Sequence, residues 1–425
     1  MIALYTLLMS IVLIAVYPIA WVGALFGHTY LLKRFRAPGD MSESKSHRVW
    51  IHAASVGEAG IAFSLASEIK RKHPQFEIYI STVTSTGLAR IHSLNELSGE
   101  STVTGAFIAP IDHPLITGKF IARVKPSSFI LVETELWPWL VQSMHSSGIP
   151  ITMVNGKLSK RSFRRYMIAR SVMKRIVNMI SLICVQSRTF AKRFMMLDVP
   201  HERIEIIGNV KFDGLPEAAD FDSAEIRHDF GIPERAKVFV AGSTRPGEEM
   251  ELARSFLRIL EVRQDTVMVI APRHLSRMPE VEKVLNDAGL PYWKRSGGEK
   301  IVAPGKNVLI IDTMGELVTA FACADAAFVG GSLRDFGGHN PLEPAALGIP
   351  MMFGPYMEQT GSKELLSEGA AILVHDGDEL SEALNRIFEN DEKSRRMSEA
   401  GPAVVKRFKG TLARTLKHME NRRLI

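Results

Sequence analysis

Short apolar runs alternate with longer amphipathic stretches along most of this chain. Residues 49–53, 77–81, 105–109, 129–132, 151–154 and 182–185 read as strands, with helical patterns such as 57–72 and 136–146 between them. A second series runs through 238–241, 267–271, 308–311, 326–329 and 351–353. Strand–helix alternation of this kind predicts parallel sheets with helices on both faces. Residues 213–236, rich in Asp, Pro, Ala and Gly, interrupt the pattern and read as a linker. The expectation is an α/β protein with two Rossmann-like, doubly wound domains, 37–212 and 237–425, and ligands at the carboxyl ends of the strands in a cleft between them. The polar, basic helical stretch 394–421 is expected to pack back across that cleft.

Residues 1–36 are different. The first 32 contain no Asp, Glu, Lys or Arg, and Lys33, Arg34 and Arg36 follow at once. About 20 apolar residues suffice to span a bilayer, and the flanking cations place the rest of the chain in the cytoplasm. No basic segment precedes the apolar run, which favours an uncleaved anchor over a signal peptide.

Composition adds two bounds. Hydrophobic content of 46% with 23% charged residues describes a globular chain, and two cysteines, Cys184 and Cys323, suit buried thiols in a reducing compartment. The net charge of +6 is uneven: from Leu136 to Leu197 there is no acidic residue but eleven Lys and Arg. A solvated helix face is the ordinary explanation. On a membrane-tethered chain, anionic lipid headgroups are the better partner, and no nucleic-acid-binding motif accompanies the charge.

Candidate chemistry gathers where strands end. Gly330 to Glu343 read Gly-Gly-Ser-Leu-Arg-Asp-Phe-Gly-Gly-His-Asn-Pro-Leu-Glu. Asn340 can cap a helix opened by Pro341, with Glu343 reaching back, and such a loop is expected to aim unpaired N–H groups at a phosphate. Ala54-Ser55-Val56-Gly57-Glu58 puts a carboxylate in the first turn of a helix, as a general base or simply as a partner of the helix dipole. Glu133 and Glu135 follow another strand, and Lys211 closes the first domain. Pro272-Arg273-His274 and Asp312-Thr313-Met314-Gly315-Glu316 end strands of the second, where Arg273 suits bidentate phosphate contact. Walker-type, dinucleotide-fingerprint and H-E-x-x-H motifs are absent from the sequence. Asp220/Asp222 and Asp376/Asp378 read as solvated turns.

Six motifs in order, Ser55 to Glu58, Glu133 to Pro138, Gly208 to Asp213, Pro272 to His274, Asp312 to Leu317 and Gly337 to Glu343, resemble those of the 3-deoxy-D-manno-oct-2-ulosonic acid (Kdo) transferases of lipopolysaccharide assembly. The resemblance implies a GT-B type glycosyltransferase fold, no metal or other cofactor, CMP-Kdo as donor and the lipid A precursor (lipid IVA) as acceptor at the cytoplasmic face of the inner membrane. By the same resemblance Glu58 is the general base and Glu133 and Lys211 stabilise the transition state. CMP contacts fall on Pro272, Arg273, Met314, Gly315, Glu316, Asn340, Pro341, Leu342 and Glu343. The chain departs from the family pattern at Arg245 and Pro246, where His and Glu are usual, at Gly156-Lys157 in place of Ala-Arg, and at Trp139 in place of Asn. The competing readings are a nucleotide-sugar epimerase or transferase of the same fold and an idle, membrane-anchored nucleotide-sugar-binding protein.

Overall fold

The structure, a computed structural model, describes residues 2–39, 41, 46–99, 101–298, 305 and 307–425. The chain forms two units, Met1–Asp213 with Gly410–Ile425, and Gly214–Lys409. Each is built on a seven-stranded sheet.

The first sheet holds β1 (Arg48–Ala53), β2 (Glu77–Thr82), β3 (Gly105–Ile108), β4 (Ser128–Val132), β5 (Ile151–Gly156), β6 (Leu182–Val185) and β7 (Ile204–Ile206), in the order β3-β2-β1-β4-β5-β6-β7. The second holds β8 (Lys237–Thr244), β9 (Thr266–Pro272), β10 (Tyr292–Lys294), β11 (Val308–Ile310), β12 (Ala326–Val329), β13 (Met351–Phe353) and β14 (Ala371–Leu373), in the order β10-β11-β9-β8-β12-β13-β14. Every pairing is parallel. Helices cover both faces, so β1, β4, β5 and β9 are buried along their whole length, which is why they read as continuous apolar runs. The order of strands reverses between β1 and β4 and again between β8 and β12, and the carboxyl ends at such reversals form ligand crevices.

The boundaries differ from the sequence expectation at two places. The segment expected as a linker contains the helix Ser223–Asp229, capped by Asp222. Arg227 on it donates to the Cys323 carbonyl and pairs with Asp325 at 2.9 Å, which ties it to the second unit. The C-terminal helical stretch breaks at Gly410 (φ 81°). Beyond the break, Thr411–Asn421 belongs to the first unit, where the Asp213 carboxylate accepts from the N–H groups of Thr411 (2.9 Å) and Leu412 (2.6 Å) and where Leu416 and Met419 are buried in the core.

One helix among the described residues, Tyr5–Leu25 within Ile2–Leu25, is long and apolar enough to cross a membrane. It does not stand free. Met9, Leu13 and Val16 pack against the first unit's core cluster, which includes Ala20. The basic stretch is carried by the helices Lys160–Ile168, Arg170–Val177 and Arg188–Met195, with Arg170 and Lys174 paired to Asp198.

Candidate active site

At the reversal point of the first sheet, the chain leaves β1 and enters the helix Val56–Lys72 through Ser55 and Glu58. The Glu58 N–H donates to Ser55 Oγ (3.3 Å), Ser55 Oγ donates to Glu58 Oε1 (2.8 Å) and the Ala54 N–H donates to Oε2 (2.8 Å). This is a capping box extended by one residue, and it holds the carboxylate at the helix N-terminus with 8% exposure. Two of its roughly four acceptor sites are used by these donors.

Glu133 follows β4 in a left-handed conformation (φ 57°), as does Asn155 at the end of β5 (φ 59°). Such conformations cost about 1–3 kcal/mol for a non-glycine residue and persist where surrounding contacts enforce them. Here the Glu133 N–H donates to the Val154 carbonyl, Asn155 Nδ2 donates to Glu133 Oε1 (3.4 Å), and Asn155 Oδ1 accepts from the Val210 N–H (3.1 Å). The last bond fixes the turn that carries Lys211. Burial raises the Glu133 pKa and the Glu58 charge raises it further, against Lys211 and Lys157, which lower it. Glu135 is raised by burial and then by the charges of Glu58 and Glu133. Three carboxylates and two lysines therefore share one electrostatic site.

Around it lie groups that sequence reading did not single out. Asp112, 1% exposed, accepts from the N–H groups of Trp139 (3.1 Å) and Leu140 (2.8 Å), and so caps the helix Pro138–Ser146, whose own N-cap residue Trp137 makes no side-chain capping bond. His52 is fully buried, its Nδ1 2.9 Å from Ser81 Oγ and its Nε2 without a partner among the described residues. Burial, then the nearby Arg34, pushes its pKa down to about 4.

In the second unit the glycine loop differs from its expected role. The Gly331, Ser332 and Leu333 N–H groups, with that of Arg245, all donate to the buried Glu248 carboxylate at 2.7–2.9 Å. Gly338 and His339 donate to the Gly331 and Gly330 carbonyls. These five loop N–H groups are thus satisfied within the protein. Gly330 is required by packing, since a Cβ there would lie 2.5 Å from the Ser243 carbonyl oxygen. Burial raises the Glu248 pKa, opposed by its four N–H donors. The sign of this role was present in the sequence as a glutamate four residues after the end of a strand and three after Arg245, a spacing that lets it reach back to the Arg245 N–H.

Side-chain cations, Arg245 and Arg273, gather near the same loop. A cavity of about 240 Å³ is lined by Gly242, Ser243, Arg273, Leu317, Phe321, Val329, His339, Asn340 and Glu343. It gathers residues that follow β8, β9, β11 and β12. Arg245 donates from Nε to His339 Nε2 (3.3 Å), its Nη1 lies 2.9 Å from His274 Nε2, and its guanidinium sits 5.4 Å from the Phe336 ring centroid. Burial and then the charges of Arg245, Arg273 and His274 push the His339 pKa down to about 4, so this ring is neutral at pH 7. Asn340 Oδ1 accepts from the Leu342 N–H, and its Nδ2 donates to Glu343 Oε1 (3.1 Å), a side-chain bond in place of the expected backbone one. Burial raises Glu343, and Asn340 and Arg273 lower it. Leu342 is fully buried, whereas Met314 is 79% exposed. Glu316 already has a cation partner: Arg295 Nε donates to it at 2.9 Å while pairing with Asp229.

Residues 30–214 match the family model described as 3-deoxy-D-manno-octulosonic-acid transferase (kdotransferase). The 3-deoxy-D-manno-octulosonic acid transferase of Haemophilus influenzae is 30% identical over 391 residues, 91% of this chain and 90% of that protein. A bifunctional glycosyltransferase/methyltransferase of Fusobacterium nucleatum is 33% identical over 374 residues, 86% of this chain but only 56% of its own length. The fold is shared more widely: a UDP-GlcNAc 2-epimerase from Neisseria meningitidis superposes with TM-score 0.60 at 15% identity, over 87% of this chain and all of that one. Fold alone therefore does not separate transferase from epimerase, but the sequence likeness along nine-tenths of both chains does. The chain belongs to the 3-deoxy-D-manno-octulosonic acid transferase family.

Proposed function

We propose that the protein transfers Kdo from CMP-Kdo to a hydroxyl of the lipid A precursor lipid IVA at the cytoplasmic face of the inner membrane. The observation that carries this reading is the carboxylate cluster Glu58, Glu133 and Glu135, balanced by Lys211 and Lys157 at the first sheet's reversal point. An acceptor hydroxyl attacks the anomeric carbon of Kdo, the bond from that carbon to the phosphate oxygen breaks, and CMP departs with the electron pair. The hydroxyl proton passes to Glu58, which the Ala54 N–H and Ser55 Oγ hold at the helix N-terminus. Lys211 supplies positive charge against the departing phosphate, and Glu133 orients Lys211 or stabilises a cationic sugar. In the second unit Arg273 takes the donor phosphate, Asn340 and Glu343 line its cavity with Pro341 and Leu342 between them in the chain, and Pro272 and Met314 to Glu316 border the nucleotide. The reaction as written calls for no metal or cofactor. The apolar helix and the basic helices hold the protein at an anionic membrane surface.

The test is Glu58→Gln. Loss of a general base costs roughly 10²–10⁴-fold in rate, so transfer should fall at least that far while CMP affinity holds. A matching loss of CMP affinity would show that Glu58 serves binding or folding instead, and full activity would pass the base role to Glu135.

A further inference from the structure

We infer that the helix Ile2–Leu25 lies in the plane of the membrane surface, docked along the first unit, and does not cross the bilayer. The inference rests on the membrane attachment proposed above. Met9, Leu13, Val16 and Ala20 recur at intervals of four, three and four residues, which returns one helix face to the domain core. Polar contacts fix the same face near the helix start. Tyr5 Oη donates to the buried Asp112 (2.7 Å), Trp139 Nε1 donates to Thr6 Oγ1 (3.1 Å), and Ser10 Oγ lies 3.2 Å from His113 Nε2. Near the other end, Tyr17 packs edge-on against Phe35 (5.0 Å between centroids) and the Arg36 guanidinium lies 4.9 Å from the Trp21 ring centroid.

From Tyr5 to Trp21 the helix runs about 24 Å at 1.5 Å per residue, most of the roughly 30 Å hydrocarbon thickness. A crossing helix would carry the surface that grips it, Asp112 and His113 in a loop among them, through that same depth. Hydrocarbon tolerates neither lipid-facing irregular backbone nor unshielded polar groups. Lying in the plane removes the conflict. The opposite helix face presents Leu7, Ile11, Ile14, Val22 and Leu25, each more than half exposed, to the acyl region.

The occupant of that face is a bilayer rich in anionic lipid. Lys33 and Arg36 follow the helix, and the sequence has no acidic residue before Asp40. The same two cations line a cavity of about 520 Å³ together with Leu32, Leu88 and Phe107, so that positive charge and apolar surface meet beside the helix.

Topology labelling of the full chain tests this. The native Cys184 and Cys323 are buried, 1% and 0% exposed, so introduced cysteines report alone. Ile2→Cys marks the helix start and Glu96→Cys, at an exposed position, marks the first unit. Sealed membrane vesicles of both orientations are treated with a membrane-impermeant maleimide. The expected result is a protein that pellets with membranes and labels at both positions from the same side. Labelling of the two positions from opposite sides would overturn the in-plane placement and leave membrane attachment standing. Recovery in the soluble fraction would overturn both.

Discussion

Glu248 is the residue whose removal the structure makes most costly outside the carboxylate cluster. Its two oxygens each accept two backbone N–H groups, Arg245 and Gly331 at Oε2, Ser332 and Leu333 at Oε1. Glu248→Gln keeps the shape but turns one oxygen into a donor, so two N–H groups lose their acceptor and face an NH₂. Hydrogen bonds to a charged partner contribute about 1.5–3 kcal/mol each, which puts the loss of two at roughly 3–6 kcal/mol. A domain of the second unit's size shifts by about 2–4 °C per kcal/mol, so its thermal transition should fall by about 10 °C. The loop also carries His339 and Asn340 to the cavity, so CMP affinity should weaken in parallel. Thermal denaturation with and without CMP reads both effects. A transition within about 2 °C of the parent with unchanged CMP protection would refute the account of the loop as a structure moulded on a carboxylate.

Three further outcomes follow from the same contacts. Arg273→Ala should weaken CMP-dependent thermal protection about tenfold or more in apparent affinity, the scale of a lost charge-assisted phosphate contact; unchanged protection would remove Arg273 from the nucleotide site. His52, with a folded pKa near 4 against an ordinary 6.5, stays neutral when buried while the unfolded chain takes up a proton. Its contribution is therefore fully present above about pH 6.5 and is lost as pH falls towards 4, by at most about 3 kcal/mol; equilibrium unfolding across that range should show the decline, and His52→Gln should flatten it. Tyr5→Phe removes the hydroxyl that meets the buried Asp112, and a drop of about 1–2 kcal/mol in the first unit's stability is expected. No change in denaturant midpoint would mean the helix is not held there.

The central strands were legible because burial on both faces leaves an unbroken apolar run. Leu182–Val185, Ala326–Val329 and Met351–Phe353 stand where that pattern put them. Ile204–Ile206, Tyr292–Lys294 and Ala371–Leu373 were missed, being three residues long, at sheet edges and partly exposed, with little apolar signal to read. The helix Thr411–Asn421 was legible as a helix but not as part of the first unit, because nothing in its own sequence shows that Asp213, far back in the chain, caps it. In the candidate site, motif order singled out Glu58, Glu133 and Arg273 as candidates. The long-range contacts around them came only from the fold, because Asp112 and Trp139, Arg295 and Glu316, and Glu248 and Gly331 are separated by 21 to 83 residues. The glycine loop shows the limit most clearly: its composition suits an anion cradle, and the anion it cradles is Glu248.

The most direct test of the central claim is mass spectrometry of the purified protein incubated with a tetra-acylated lipid A precursor and CMP-Kdo generated in situ, with chelator present. The account predicts a gain of one or more Kdo masses on the lipid, undiminished by the chelator. No gain, with CMP still protecting the second unit, would contradict it and point to a different donor sugar or to a protein that only binds the nucleotide.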